Sequence, residues 1–369
     1  MAPVLDALRT DGRVDSRLAH TGQHTDLVDQ VLDTFGMVPD YDLGIMQDGQ
    51  SLYDVAHACL DGLREVVTDY GPDVLLVQGD TATVFFGALV GYFENVLVGH
   101  VEAGLRTHQK RAPFPEEIFR HCSDVIADYH FAPTEHARGM LEREGFPGKD
   151  STRPIYVTGN TVVDALRIVA EQDRPVHDHG LARVISGDRR LVLLTAHRRE
   201  SFGEPLRNVF RAALELAEVH TDIEIVYPVH PNPNVMGPAT EILSGHDRIH
   251  LLDPLSYVDL VAALRASDLI LTDSGGIQEE APTFGTPVLV LREVTERPEG
   301  VAAGTASLVG TDGERILTEA HRLLSATSTP EGSPTVSPYG DGLAGKRIAD
   351  IVISDLLGVA RSTADWEAS

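Results

Sequence analysis

Three carboxylates, Asp80, Glu102 and Glu116, stand where apolar runs that read as strands give way to helices, so each lies at a βα turn. Open parallel sheets bind ligands at that rim, and acids gathered there can take and return protons. Asp80 belongs to Gly79-Asp80-Thr81 after the run Asp73 to Gln78, and Glu102 follows the run Asn95 to Val101. Glu116 shares a first helical turn with Glu117, one turn ahead of Arg120, with which it can pair at i, i+4. For any single acid a helix cap or a surface charge is the ordinary alternative; their arrival together beside Arg106 and Arg120 favours chemistry. A second group begins with Asp273, Ser274, Gly275 and Gly276, a tight turn between the apolar run Leu269 to Leu271 and a helix opening at Ile277. Glycine lets the backbone approach a ligand, and free N–H groups at a helix start attract anions, so a phosphate fits there with the Ser274 hydroxyl as a further donor. Gln278, Glu279 and Glu280 follow on the first helical turn, and one carboxylate reaching outward can accept from two ribose hydroxyls, which makes a nucleotide a suitable occupant. The plain alternative is a strand-to-helix turn with no ligand. Arg297, beyond the strand Pro287 to Leu291, and His197, Arg198 and Arg199, beyond the strand Arg190 to Thr195, add groups suited to a phosphate or a proton relay. His230 heads the loop after Ile223 to Val229 and serves either as a ligand or as a satisfied loop histidine.

Strands and helices alternate along the chain, the pattern of an α/β protein whose parallel sheets are wound with helices. The first elements expected are a helix over 2–10, a strand from Val14 to Thr21, a helix from Thr25 to Phe35 and an extended piece from Tyr41 to Met46. Polar residues over 173–188 mark a domain boundary between about 158 and 188, after which the alternation restarts. The prolines of the 230–234 loop argue against regular structure there. The Ser-, Thr-, Pro- and Gly-rich stretch 327–342 is too polar to pack, and a last helix runs from Leu343 to Leu357.

Composition narrows the function further. The 369 residues suit two or three domains, and 42% hydrophobic content supplies their cores. No stretch approaches the roughly 20 apolar residues of a membrane span, and the start shows no signal-peptide pattern, so a cytoplasmic protein is expected. Two cysteines, Cys59 and Cys122, offer no disulfide framework. The net charge of −26 argues against nucleic acid, which needs a basic stripe. Sixteen histidines form no HExxH-like pair, so no metal is expected. Acidic residues spread along a chain with three lysines point to a salt-rich cytoplasm and a halophilic protein.

Several stretches together resemble one family: Gly-Asp-Thr at 79–81, His-Val-Glu-Ala-Gly-Leu-Arg-Thr at 100–107, Pro-Glu-Glu at 115–117, Thr-Gly-Asn-Thr at 158–161, Thr-Ala-His-Arg-Arg-Glu-Ser at 195–201, Asp-Ser-Gly-Gly-Ile-Gln-Glu-Glu-Ala from 273, and Thr-Glu-Arg-Pro-Glu at 295–299. From residue 1 to about 357 the chain is similar to non-hydrolysing UDP-N-acetylglucosamine 2-epimerases. The resemblance implies two Rossmann-like domains of GT-B type facing across a cleft. These are an N-terminal one over 1–165, with the C-terminal helix 343–369 packing back on it, and a UDP-binding one over 166–342. It also implies a homodimer with no cofactor. The implied reaction is reversible epimerisation at C2 of UDP-N-acetylglucosamine to UDP-N-acetylmannosamine, through elimination of UDP to 2-acetamidoglucal and re-addition. By the same resemblance Asp80, Glu102 and Glu116 are the acid/base carboxylates and His197 lies against the phosphates. Arg120, His230, Ser274, Gly275, Gly276 and Arg297 line the substrate, Glu280 holds the ribose and Tyr257 stacks near the uracil. Gln23, His24 and Arg198 resemble part of an allosteric site. A hydrolysing epimerase and a GT-B glycosyltransferase are the enzymatic alternatives.

Phe119 departs from the family's Pro-Glu-Glu-x-Asn-Arg, which has asparagine there. The family also opens with a strand and a Gly-Thr-Arg-Pro-Glu loop ahead of the first helix seen here. That strand is central in a doubly wound domain, and leaving its neighbours unpaired would cost about 1 to 3 kcal/mol per buried polar group. Met1 is therefore expected to be an internal methionine of a longer natural chain. An inactive UDP-sugar-binding protein is the matching alternative. The acidic composition carries a separate expectation: the melting temperature should rise from low to molar KCl, where the Debye length shrinks to about 3 Å. A flat or falling melting temperature would contradict it.

Overall fold

Runs of aliphatic and β-branched residues become parallel strands here because helices cover both faces of each sheet. The computed structural model describes residues 1–22, 25–47, 49–111, 113–147, 152–172, 174–325 and 337–367, apart from the side chains of 25–28. The chain divides into two units, Met1–Ala165 with Tyr339–Ser369, and Leu166–Pro338.

In the first unit α1 (Ala2–Asp11), β1 (Ala19–His20), α2 (Thr25–Phe35), β2 (Tyr41–Asp42) and α3 (Leu52–Tyr70) lead to β3 (Val74–Gln78). There follow α4 (Ala82–Phe93), β4 (Leu97–Val101), α5 (Glu116–Ile126), β5 (Tyr129–Ala132), α6 (Glu135–Arg143), β6 (Ile155–Val157) and α7 (Thr161–Glu171), which begins in this unit and passes into the second after Ala165. Strands β3-β4-β5-β6 form one parallel sheet in that order, and β1 pairs with β2 in a separate one. Val101, Tyr129, Phe131 and Tyr156 from the sheet meet Val4 and Leu8 of α1 and, from the final segment, Ile348, Ile351 and Val352. Buried Asp164 accepts the N–H groups of Ala344 (3.2 Å) and Gly345 (2.7 Å), which fixes that segment at its start.

The second unit contains α8 (His179–Ile185), β7 (Arg190–Thr195), α9 (Glu204–Val219), β8 (Ile223–Pro228), α10 (Pro233–Leu243), β9 (Ile249–Leu252), α11 (Tyr257–Ala266) and β10 (Ser267–Thr272). It continues through α12 (Gly275–Glu280), β11 (Val288–Val290), α13 (Pro298–Ala302), β12 (Ala306–Leu308) and α14 (Gly313–Ser325); α15 (Ala344–Leu357) then belongs to the first unit. The six parallel strands run β12-β11-β10-β7-β8-β9, the doubly wound Rossmann order, whose direction of winding reverses between β7 and β10. Leu194, Leu271 and Tyr227 from the sheet pack with Leu206, Phe210 and Leu216 of α9 in the core.

The structure corrects several local expectations. Between Val14 and Thr21 the strand is confined to Ala19–His20, because the Leu18 N–H goes to the Asp40 carboxylate (2.8 Å) instead of a ladder. The prolines after His230 do not exclude regular structure: Pro233 opens α10, where a missing N–H costs nothing, and the Asn232 side chain caps it. The polar stretch 173–188 holds α8, capped by the Asp178 side chain. Of the loop 327–342, residues 327–336 lie outside the described residues.

Gly104 illustrates how closely the rim of the first unit is packed. At φ 89°, a Cβ on it would stand 2.3 Å from the Ala137 carbonyl oxygen of α6, a backbone atom that cannot yield cheaply. Gly104→Ala is expected to cost about 3 kcal/mol or more in urea unfolding; a loss under about 1 kcal/mol would show that α6 is free to shift.

Candidate active site

Parallel register sets the first cluster. Gln78 of β3 pairs with Val101 of β4, so the turns carrying Asp80 and Glu102 emerge side by side, and the Gly79 N–H bonds back to the Val101 carbonyl (3.1 Å). Glu102 adopts φ 67°, a conformation that costs a non-glycine residue roughly 1–3 kcal/mol. Its carboxylate is steadied by Gln78 Nε2 (3.2 Å) and Asn160 Nδ2 (3.3 Å). Asp80 receives Arg120 Nη2 at 2.6 Å. Arg120 also stands 3.6 Å from Glu117, so its partners are Asp80 and Glu117 rather than Glu116 at i, i+4. A tertiary neighbour thus outcompetes helical spacing. Glu117 is buried and structural, accepting the N–H groups of Thr107 (3.1 Å) and His108 (2.9 Å). Glu116, half-buried at the start of α5, has no hydrogen-bond partner among the described residues. Arg106 is turned inward, to Asp124 (2.7 Å) and Glu144 (2.8 Å), and leaves Arg120 as the rim guanidinium of this cluster. Phe119, at the position where asparagine was expected, stacks on Phe85 with centroids 5.2 Å apart.

The second cluster sits where the winding of the six-stranded sheet reverses, between the ends of β7 and β10. Buried Asp273 organises it: its Oδ2 accepts the N–H groups of His197 (2.7 Å) and Arg198 (2.8 Å), while Arg198 Nε donates to its carbonyl (2.9 Å). Sequence reasoning placed Asp273 in the turn without seeing this role. Its Oδ1 is buried and unpartnered among the described residues, 3.6 Å from His197 Nδ1. His197 and His230 stack with centroids 5.3 Å apart and planes 11° from parallel. Burial, then the neighbouring His197, lowers the His230 pKa.

Ser274 precedes α12 as its N-cap, and its hydroxyl makes no cap hydrogen bond. A Cβ at 275 would stand 3.0 Å from the Arg297 guanidinium, so the absence of a side chain lets that group lie close over the turn; Gly276 is exposed. Arg297 Nε donates to Glu279 (2.7 Å), and Thr295 donates to Gln278 (2.6 Å), so the loop after β11 is tied to α12 at two points. Gln278 and Thr295 fall within the stretches noted in the sequence, where neither was given a role of its own. Glu280 has no such partner among the described residues; burial and then the charge of Glu279 push its pKa up to about 7. Tyr257, from the start of α11, is raised by burial and then by Glu280, which places these two side chains within electrostatic reach. Gln23 and His24 lie outside the described residues, and Arg198 is engaged by Asp273 as above. Among the described residues no group of three or more His, Cys, Asp or Glu is placed to hold a metal ion.

The chain that carries these two clusters is similar to known proteins over nearly its whole length. The sequence model for UDP-N-acetylglucosamine 2-epimerase matches residues 6–353. The UDP-N-acetylglucosamine 2-epimerase of Escherichia coli K12 is 46% identical over 356 residues, covering 95% of this chain and 94% of its own. A solved structure from Listeria monocytogenes superposes with a TM-score of 0.89 at 44% identity, covering 100% of this chain and 95% of that one. The Neisseria meningitidis UDP-GlcNAc 2-epimerase, solved with UDP-GlcNAc bound, gives a TM-score of 0.83 at 40% identity over 97% of this chain and 96% of that one. On a match of this extent, the chain belongs to the UDP-N-acetylglucosamine 2-epimerase family.

Proposed function

We propose that the protein is a non-hydrolysing epimerase that interconverts UDP-N-acetylglucosamine and UDP-N-acetylmannosamine, and that it works as a cytoplasmic homodimer. The observation that carries this reading is the pair of carboxylates, Asp80 and Glu102, on adjoining turns of paired strands, with Arg120 orienting the first. The C2 proton is weakly acidic, and its removal calls for a positioned base. As the C2–H bond breaks, the electron pair forms the C1–C2 double bond and UDP leaves from C1, giving 2-acetamidoglucal. Returning a proton to the opposite face of C2 and re-adding UDP at C1 completes the inversion. A proton removed on one face and delivered on the other needs more than one group, which Asp80, Glu102 and Glu116 supply.

The second cluster is suited to the leaving group. The Ser274 hydroxyl, the N–H groups beginning at Gly275, His197 and Arg297 favour a diphosphate. His230 supports His197 through their stack. Glu280 accepts the ribose hydroxyls, and Tyr257 faces the base.

Neutral replacements separate the two roles. Asp80→Asn, Glu102→Gln and Glu116→Gln are each expected to lose about 10² to 10⁴ in kcat, with UDP affinity near wild type. Wild-type turnover in all three would sink the assignment of the acids.

Glu280 gives UDP binding a pH dependence. Ribose hydroxyls donate to the ionised carboxylate, so binding draws Glu280 from its raised pKa of about 7 toward the charged form and releases a proton. UDP affinity should therefore fall as pH drops below about 7, with a slope that Glu280→Gln reduces, alongside an affinity loss of about tenfold. The sign for folding is opposite. The raised pKa means Glu280 contributes stability at low pH that is lost as pH rises through about 7. Identical pH profiles of UDP affinity for wild type and Glu280→Gln would remove Glu280 from the ribose site.

A further inference from the structure

His100, in the middle of the catalytic rim yet fully buried, has both ring nitrogens facing acceptors. Nδ1 lies 2.6 Å from Asp124 Oδ1 and Nε2 lies 2.8 Å from the Gly79 carbonyl oxygen. A carbonyl cannot donate, so Nε2 carries a proton. Asp124 already accepts Arg106 Nη2 (2.7 Å) and the Gly104 N–H (3.3 Å) on its other oxygen, one of these donors being cationic, which keeps it a carboxylate. Nδ1 then carries a proton too. Burial alone works against charging the ring, yet Asp124 outweighs it and the His100 pKa stands above the ordinary value. The other charged or titratable groups around Asp124 are Arg106, which is in turn paired with Glu144, and His130 of β5, whose Nε2 bonds the Asp124 carbonyl (2.8 Å).

We propose that His100 is a permanently charged positioning residue, an imidazolium that grips the Gly79 carbonyl and so fixes the turn of Asp80 against the turn of Glu102. The Gly79 peptide is held at both ends: its N–H bonds the Val101 carbonyl of β4 (3.1 Å), and its C=O bonds His100, the residue before Val101. Asp80 follows directly. Glu102, two residues past His100, sits in its left-handed conformation at the end of the same strand, and a Cβ on Gly79 would lie 3.5 Å from its Oε2. The ring touches no reacting atom. It sets the spacing of the two acids and places a positive charge beneath them. Asp124, from α5, anchors that charge and links it to the helix that carries Glu116 and Arg120.

This inference rests on the proposed epimerase function. Two measurements test it on the full chain. In ¹⁵N-histidine NMR, His100, assigned by its loss in His100→Gln, should show protons on both ring nitrogens and no titration between about pH 6 and 8. A single ring proton or a titration in that range would overturn the imidazolium. In kinetics, His100→Gln should lower kcat by about 10² while UDP affinity and the urea midpoint of the UDP-binding unit stay put. Asp124→Asn should lose a similar factor, and the double variant little more, since the pair acts as one device. Wild-type kcat in folded His100→Gln, or an equal loss of kcat and UDP affinity, would contradict the positioning role; if the variants do not fold, the NMR result on the wild type decides, with the His100 ring assigned through its couplings to the sequentially assigned backbone. A wild-type protein without epimerase turnover would overturn the proposed function and this role together, whereas active wild type with active His100→Gln overturns this role alone.

Discussion

Covering both faces of a parallel sheet leaves its strands little room for polar side chains, and this constraint governs where chemistry can occur in both units. Leu191 to Leu194 of β7 and Leu269 to Leu271 of β10 are all but fully buried. Polar groups gather where the strands end, at the turns holding Asp80, Glu102, His197 and Asp273. Backbone amides are free at those same turns, so carboxylates, guanidinium groups and an incoming phosphate can share them.

Charges placed there lose water and must be compensated from within the protein. Asp124 is shared by His100, Arg106 and a backbone amide, and burial opposes Glu296 only until the Arg292 guanidinium (2.9 Å) holds it down to about 2. Glu280 is the exception. Buried beside Glu279 and lacking a hydrogen-bond partner among the described residues, it is raised to about 7. Arg120 belongs to the compensated group through Asp80 and Glu117, and Glu116 is left without a partner among the described residues.

Much of this was legible from the chain. Long helices such as α3 and α9 and the apolar strands show their periodicity directly, and each acid after a strand marks a rim. What the sequence hid was set by contacts between distant residues. His100 and Asp124 are 24 positions apart and meet because α5 packs beside β4. The hold of Asp273 on His197 spans 76 positions and arises from pairing β7 with β10. Arg120 was read as a partner of Glu116 because helical spacing is local, whereas Asp80 reaches it through the fold. Prolines after His230 were read as breakers when one of them begins α10, a difference set by the Asn232 cap rather than by composition.

In the proposed epimerisation, protons are exchanged at C2 while the sugar begins and ends attached to UDP. The direct measurement is incubation with UDP-N-acetylglucosamine in D₂O, followed by NMR and mass analysis of the sugars. Deuterium at C2 in both UDP-N-acetylglucosamine and UDP-N-acetylmannosamine is the predicted result. Free N-acetylmannosamine as the product, or UDP-sugars without deuterium at C2, would contradict the account.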